Sequence, residues 1–175
     1  MSKLRMKTYY GTKVIDSGTT AGDYSLSTPD TTNQRAYTSF ISDHTVDHSG
    51  RLVGVSKSIE IAADYTLADL RLINRLIGLS VRHNQEDLLD REPLMHIPEH
   101  HAPVGGIQET EASASDGMNF AVQDGGRIFM FDEPVQAQGG DRLEIELNVF
   151  AAMSGMTGTD DSYVRAIVWQ IPDLV

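Results

Sequence analysis

The stretch FDEPVQAQGGDRLEIELNVFAAM, residues Phe131–Met153, decides the fold class of this chain. It predicts a strand, a Gly-Gly-Asp turn and a second strand in which apolar residues alternate with Glu144, Glu146 and Asn148. Alternation with a period of two is typical of a strand with one face in a core and one toward water. We therefore predict an antiparallel β protein, and we interpret Glu144 and Glu146 as a solvated or subunit-facing surface rather than a catalytic pair.

The whole 175-residue chain predicts about eight strands in one domain. Tyr163–Ile171 is apolar on both faces, which indicates a central or covered strand. The other predicted strands are Lys7–Asp16, Ala36–Ser42, Arg51–Tyr65, Leu76–His83, Met118–Val122, Arg127–Phe131 and Arg142–Phe150. Strands separated by long loops of uneven length fit an all-β, antiparallel two-sheet sandwich of the jelly-roll type.

Several connecting segments are less regular. Residues 67–81 fit either a helix capped by Thr66 or a β pair broken at Gly78, and we favour a short helix followed by a strand near Leu76–His83. The segment Ser17–Gln34 is long for a connection inside one domain, and long loops are usually functional or supported by a partner. We predict a turn over Glu86–Glu92 and loops over Ser17–Gln34, Pro93–Gly106 and Gln108–Gly117.

The chain is acidic, with a formal net charge of −11 from 25 acidic and 14 basic residues. Asp outnumbers Glu by 16 to 9, and Arg outnumbers Lys by 10 to 4. This balance is typical of halophile proteins, in which salt screens the repulsion between carboxylates, and an ordinary acidic mesophilic protein is the alternative. The charge disfavours nucleic-acid binding over the whole surface, because phosphate neutralisation needs a basic surface.

Residues 1–13 form a basic N-terminal arm, and we place a single β-sandwich domain at residues 14–175. An arm of this kind is suited to contact a membrane, a genome or an acidic neighbouring subunit, and the alternative is a solvated terminus without a partner. No apolar stretch approaches the roughly 18 residues of a membrane-spanning helix. The arm has no acidic residue. Its four basic residues are Lys3, Arg5, Lys7 and Lys13.

The strongest candidate for a metal site is the sequence HIPEHH. Imidazole and carboxylate groups suit zinc and similar cations, and jelly rolls include the cupins, which hold a metal inside the barrel. The cupin pattern needs a His-x-His pair on a strand and a later His, whereas this sequence lies in a Pro-rich loop. We therefore predict no metal and no cofactor, and we interpret the loop that holds the four candidate ligands, His96, Glu99, His100 and His101, as a polar loop that packs against a neighbour.

Other catalytic motifs are absent from the sequence. The chain has no cysteine, no nucleophile elbow, no Walker loop and no dinucleotide-binding fingerprint. Its isolated Gly-Gly pairs are better explained as turns than as phosphate-binding loops. We therefore predict that the protein is not an enzyme.

The segment FDEPVQAQGGDRLEIELNVFA resembles a strand pair of viral jelly rolls, in which a Pro-containing segment, a Gly-Asp turn and an alternating strand follow one another. The resemblance covers Gly125–Trp169. Together with the acidic, Lys-poor composition, it is similar to the single jelly-roll capsid proteins of haloarchaeal and related viruses. That family implies a capsid or capsid-decoration protein in the virion, whose partners are copies of itself and other capsid proteins. No individual family residue is matched, so no binding residue follows from it.

Two other functions stay open on the sequence. A carbohydrate- or receptor-binding sandwich would present exposed Trp and Tyr side chains in its loops, whereas Trp169, the only Trp, falls in a predicted core strand. A cupin-like metalloenzyme would use His96, His100 and His101 as ligands.

Overall fold

The computed structural model describes residues 7–26, 45–62, 64–99, 107–111, 114–118 and 128–173. The elements in these ranges are β1 (Lys7–Ile15), β2 (Gly22–Ser25), β3 (Gly50–Glu60), α1 (Leu67–Leu76), β4 (Ile77–His83), β5 (Glu86–Pro93), a short 3-10 helix (Leu94–His96), β6 (Ile107–Glu111), β7 (Ala114–Met118), β8 (Phe129–Ala137), β9 (Leu143–Val149) and β10 (Ser162–Pro172).

The described strands form two antiparallel four-stranded sheets and a separate hairpin of β6 and β7. The first sheet has the order β1-β10-β3-β8, and the second has the order β2-β9-β4-β5. The pairs β1–β10, β2–β9, β3–β8 and β4–β5 are nested, so the chain runs as one long hairpin folded into two sheets. This is the strand order of a jelly roll, and it confirms the predicted all-β two-sheet sandwich.

The turn at the centre of the long hairpin joins β4 to β5. Asn84 and Gln85 occupy it with φ of 50° and 75°, and they separate His83 from its partner Glu86. A two-residue loop with positive φ at both positions is a type I′ turn. The predicted turn over Glu86–Glu92 is therefore wrong, because these residues form an edge strand, where charges discourage pairing with another chain.

The two strands of Phe131–Met153 lie in different sheets. β8 pairs with β3, whereas β9 pairs with β2 and β4. The Gly-Gly-Asp turn is present, with Gly140 at a φ of 95°, which favours glycine. Asp141 fixes this turn, because its Oδ2 accepts from the Gln138 N–H (2.8 Å) and lies 2.8 Å from His83 Nε2. The turn thus carries the chain from one sheet to the other and does not close a hairpin.

Residues 67–81 contain α1 followed directly by β4, which is the alternative that we favoured. The Asp69 N–H donates to Thr66 Oγ1, and the Thr66 N–H donates to Asp69 Oδ2 at 2.8 Å. This capping box satisfies two backbone N–H groups at the helix start. Thr66 therefore caps the helix as the sequence predicts.

Other boundaries differ from the prediction. The predicted loop Gln108–Gly117 is wrong, because β6 and β7 pair across it. The predicted loop Ser17–Gln34 contains β2 in its described part. Two predicted strands lie largely outside the described residues. All of Ala36–Ser42 lies outside them, and of Met118–Val122 only Met118 is described.

Aliphatic side chains fill the interior between the two sheets. β10 lies between β1 and β3, which confirms the prediction of a central strand. The side chains that face one another across the interior have at most 4% of their surface exposed, and they include Val55, Ile59, Val164 and Val168 from the first sheet and Ile77, Leu79, Val81, Leu143, Ile145 and Leu147 from the second.

Candidate functional site

The outer face of the second sheet carries a closed chain of polar contacts with one residue from each strand. Asn148 of β9 donates to Asp23 of β2 (Nδ2–Oδ1, 3.0 Å) and accepts from the Ser80 hydroxyl of β4 (2.8 Å). The Arg91 N–H of β5 donates to Ser80 Oγ (2.9 Å), and the Arg91 guanidinium donates to Asp23 Oδ2 (2.6 Å). We call these four residues the outer-face chain.

A local irregularity of β5 brings Arg91 into this chain. Leu79 is paired with Glu92 and Val81 with Leu89, so β5 has one residue more than β4 between these pairs. Arg91 has a φ of 50° at this point. An extra residue in one strand is a β-bulge, which redirects a side chain and its backbone N–H. The bulge explains why an N–H of β5 points at the Ser80 hydroxyl.

The outer-face chain is buried at its centre and exposed at its ends. Ser80 and Asn148 are 1% and 2% exposed, whereas the side chains of Asp23 and Arg91 are 45% and 54% exposed. The buried amide and hydroxyl therefore hold the orientation of a carboxylate and a guanidinium that both reach solvent.

Further ion pairs lie beside this chain on the same sheet. Arg82 Nε contacts Asp87 Oδ1 at 2.7 Å and its Nη1 lies 3.5 Å from Glu146 Oε2. Arg142 pairs with Glu144. The carboxylates of Glu144 and Glu146 are thus only 22% and 26% exposed and each faces an arginine. The sequence places these two glutamates on the outer face, and the period of two puts Arg142 on the same face as Glu144, but it gave no sign of Arg82, which comes from another strand.

We call the charged residues of these contacts the mixed-charge face. Its three arginines and four carboxylates leave a formal charge of −1, compared with −11 for the whole chain. A surface with fixed groups of both signs can pair with a like surface without a large repulsion. The members of the mixed-charge face are Asp23, Arg82, Asp87, Arg91, Arg142, Glu144 and Glu146.

Replacing Asn148 with Ala is expected to lower the free energy of unfolding by about 2 kcal/mol, because the buried Ser80 hydroxyl loses its acceptor and Asp23 loses a donor. Urea denaturation followed by circular dichroism measures this change. Glu133→Gln, at an exposed position of β8, is the control and should change stability by less than about 0.5 kcal/mol. Equal effects of the two substitutions would contradict a structural role of the outer-face chain.

The candidate metal ligands in the described residues have different partners. His96 Nδ1 lies 2.6 Å from Glu92 Oε1 on the surface, whereas Glu99 Oε1 accepts from the Ile59 N–H at 2.7 Å. Among the described residues, no group of three or more His, Cys, Asp or Glu is arranged to hold a metal ion. The other two candidates, His100 and His101, lie outside the described residues.

The basic arm overlaps the first strand. Lys7 and Lys13 lie in β1, where Lys7 pairs with Asp47 and Lys13 Nζ lies 4.5 Å from the centre of the Tyr24 ring. These two lysines therefore belong to the first sheet, so the sandwich includes residues 7–13 of the predicted arm. The other two basic residues of the arm, Lys3 and Arg5, lie outside the described residues.

In the part of the chain that the structure describes, no helix is long and apolar enough to cross a membrane. No protein-family model, no curated protein and no solved structure matches this chain. The function is therefore inferred from the fold and from the side chains described above.

Proposed function

We propose that this protein is a virion structural protein, a jelly-roll subunit that builds or decorates a viral capsid through contacts with copies of itself and other capsid proteins. The observation that carries the proposal is the nested order of eight strands in two sheets. Viral capsid domains, lectins and cupins use jelly rolls of this kind. The fold is therefore compatible with all three classes, and the side chains decide which of them is favoured.

The described interior favours a structural subunit over the two other classes. Inner positions of β4 and β9, such as Leu79 and Ile145, are fully buried aliphatic side chains, where a cupin would present metal ligands. The indole N–H of Trp169 donates to Ser56 Oγ at 2.8 Å within the first sheet, so this ring gives no support to a sugar-binding function. A tightly filled sandwich is what a shell subunit needs, because it must keep its shape under contact with neighbours.

The mixed-charge face is the surface that we assign to contact with a second copy of the chain. A two-fold contact places the same patch on both subunits, so that each residue must find its complement in the same patch. Arg82, Arg91 and Arg142 can each pair with a carboxylate of the second copy, since guanidinium groups have several donors. The nearly neutral formal charge of this face limits the repulsion that the strongly acidic remainder of the protein produces.

Within a virion, the residues before β1 would contact a membrane, the genome or an acidic neighbouring subunit. Lys3 and Arg5 supply the positive charge for this contact. Polybasic segments bind anionic surfaces through charge attraction that falls off within a Debye length.

Raising the salt concentration from about 0.1 M to about 1 M is expected to increase self-association. The Debye length falls from about 10 Å to about 3 Å, so the long-range repulsion between acidic subunits is screened, whereas ion pairs buried in the contact are screened much less. Size-exclusion chromatography with multi-angle light scattering measures the mass, and negative-stain electron microscopy shows whether the assemblies are closed shells or regular arrays. A monomer at every salt and protein concentration would contradict the proposal.

A pair of double substitutions tests the assigned face. Arg82→Glu with Arg91→Glu changes the charge on the mixed-charge face, whereas Arg51→Glu with Arg71→Glu makes the same change at exposed positions of β3 and α1. We expect only the first pair to prevent association, with both proteins folded by circular dichroism. If both pairs, or neither, prevent association, the contact lies elsewhere on the protein.

A further inference from the structure

A buried lysine is the least expected group in the interior. Lys57 of β3 is paired with Ala166 of β10, on the inner face of the first sheet, and it is only 6% exposed. Its side chain reaches Leu94 of the 3-10 helix, a fully buried residue. Lysine is almost never buried to this degree without a partner that compensates the loss of water.

The Lys57 amine lies against an asparagine side chain. Lys57 Nζ is 2.5 Å from Asn74 Oδ1 and also contacts the Leu94 carbonyl oxygen. The Asn74 amide is held in place because its Nδ2 donates to the Leu70 carbonyl at 3.0 Å. The amine is therefore in hydrogen-bond contact with the carboxamide oxygen, which is bonded to the carbon that a neutral amine would attack.

A carboxyl group completes the cluster. Glu99 lies beside β3. The backbone N–H of Lys57 donates to the Pro98 carbonyl at 3.0 Å, and the backbone N–H of Ile59 donates to Glu99 Oε1 at 2.7 Å. Burial lowers the pKa of Lys57 to about 8, although the nearby Glu99 opposes this shift. Burial also raises the pKa of Glu99 to about 7, against the opposing effects of the Ile59 N–H and of Lys57.

These shifts favour the chemically active forms of both groups near neutral pH. An amine is a nucleophile only when it is neutral, and the lowered pKa of Lys57 makes the neutral form far more accessible near neutral pH than for an ordinary lysine. A carboxyl group with a pKa near the working pH is suited both to accept and to return a proton.

We propose that Lys57 and Asn74 become joined by an intramolecular isopeptide bond, with Glu99 as the group that transfers the proton. Lys57 Nζ attacks Asn74 Cγ, and the Nζ–Cγ bond forms. Glu99 accepts a proton from the attacking nitrogen and returns it to Nδ2 of Asn74. The Cγ–Nδ2 bond then breaks, one molecule of ammonia leaves, and a secondary amide remains, with no change of oxidation state. The inference does not depend on the proposed function.

The surroundings explain why this pair of residues is suited to the reaction. The two groups are held on β3 and α1, so that the entropy of bringing them together has been lost in folding. Lys57 itself is only 6% exposed, so bulk water has little access to the amine. Exclusion of water disfavours the charged ammonium form and protects the intermediate from hydrolysis.

Intact-mass spectrometry of the purified, denatured protein tests the proposal directly. We expect a mass that is lower than the sequence mass by one ammonia, and a proteolytic digest should yield a branched peptide that links Lys57 to Asn74. Unmodified mass, with separate peptides that carry Lys57 and Asn74, would overturn the proposal. Loss of ammonia at any other pair of residues would also overturn it.

Variants separate the roles of the three residues. Lys57→Met and Asn74→Ala should each have the mass expected from their sequences, without loss of ammonia. Lys13→Met is the control, because Lys13 lies in β1 outside the cluster, and this variant should still lose one ammonia. Glu99→Gln should remain folded by circular dichroism and show the full mass, because the bond does not form without the carboxyl group. A folded Glu99→Gln protein that is fully linked would overturn the role of Glu99. The mass of the unaltered protein decides the main question even if a variant fails to fold.

Discussion

Replacing Lys57 with Met and Glu99 with Gln together is expected to lower the melting temperature by on the order of 10 °C. The isopeptide bond would link residues 17 positions apart, and a cross-link over a loop of this size stabilises by about 3 kcal/mol through the loss of entropy in the unfolded chain. In a protein of this length each kcal/mol shifts the melting temperature by about 2–4 °C. Differential scanning calorimetry near neutral pH measures the change.

The direction of this effect separates a cross-linked from an unlinked cluster. Removal of both charges of a buried, unlinked pair is often neutral or stabilising, because the cost of burying the charges is removed with them. Unchanged or increased stability of the double variant would therefore contradict the bond. Lys13→Met with Glu133→Gln makes the same chemical changes outside the cluster and should leave the melting temperature almost unchanged.

Replacing Asp69 with Ala is expected to lower the free energy of unfolding by about 3 kcal/mol, as measured by urea denaturation. Asp69 is 1% exposed, and its carboxylate accepts from the backbone N–H and hydroxyl of both Thr66 and Thr157. The substitution removes half of a capping box, which costs about 1 kcal/mol, and leaves further donors unsatisfied. Thr66→Ser keeps a capping hydroxyl and is the control, with a change of less than about 0.5 kcal/mol.

The effect of Asp69→Ala should depend on pH. Burial on its own would raise the pKa of Asp69, but the hydrogen bonds from Thr66 and Thr157 outweigh it and hold the pKa below its usual range. A carboxyl group with a lowered pKa stabilises the fold above its unfolded pKa of about 3.9 and loses this contribution as the pH falls through the folded pKa. The difference between the two proteins should therefore shrink below about pH 4, and a constant difference would contradict this explanation.

The sequence predicted elements well where local signals decide them. Period-two alternation located β9, and the Thr66 cap with helical spacing located α1. It did not predict which strands are neighbours, because alternation reports the two faces of a strand and says nothing about its partners. The turn at Asn84 and Gln85 was missed because Gln is unusual at a positive φ, where Gly is the common residue.

The residues of the two clusters were harder to predict than the fold. Lys57 occurs in phase with Val55 and Ile59, so a lysine on an apolar strand face was a signal that the sequence contained. Its partners Asn74 and Glu99 lie on other elements, and no spacing in the sequence connects them. The outer-face chain likewise depends on contacts among four strands, of which β2 was predicted as a loop.

The position of β10 has a consequence for how the chain folds during synthesis. β10 lies between β1 and β3, and it pairs Lys7 with Gln170, so the first sheet has a gap at its centre until the ribosome has released the tenth strand. Until then β1 has none of its partners in the first sheet, and one edge of β3 is open to other molecules. Contacts between residues so distant in the chain close large loops and form slowly. A nascent chain of this protein thus depends on late completion of its sheet, and the period before completion is when it is most exposed to aggregation.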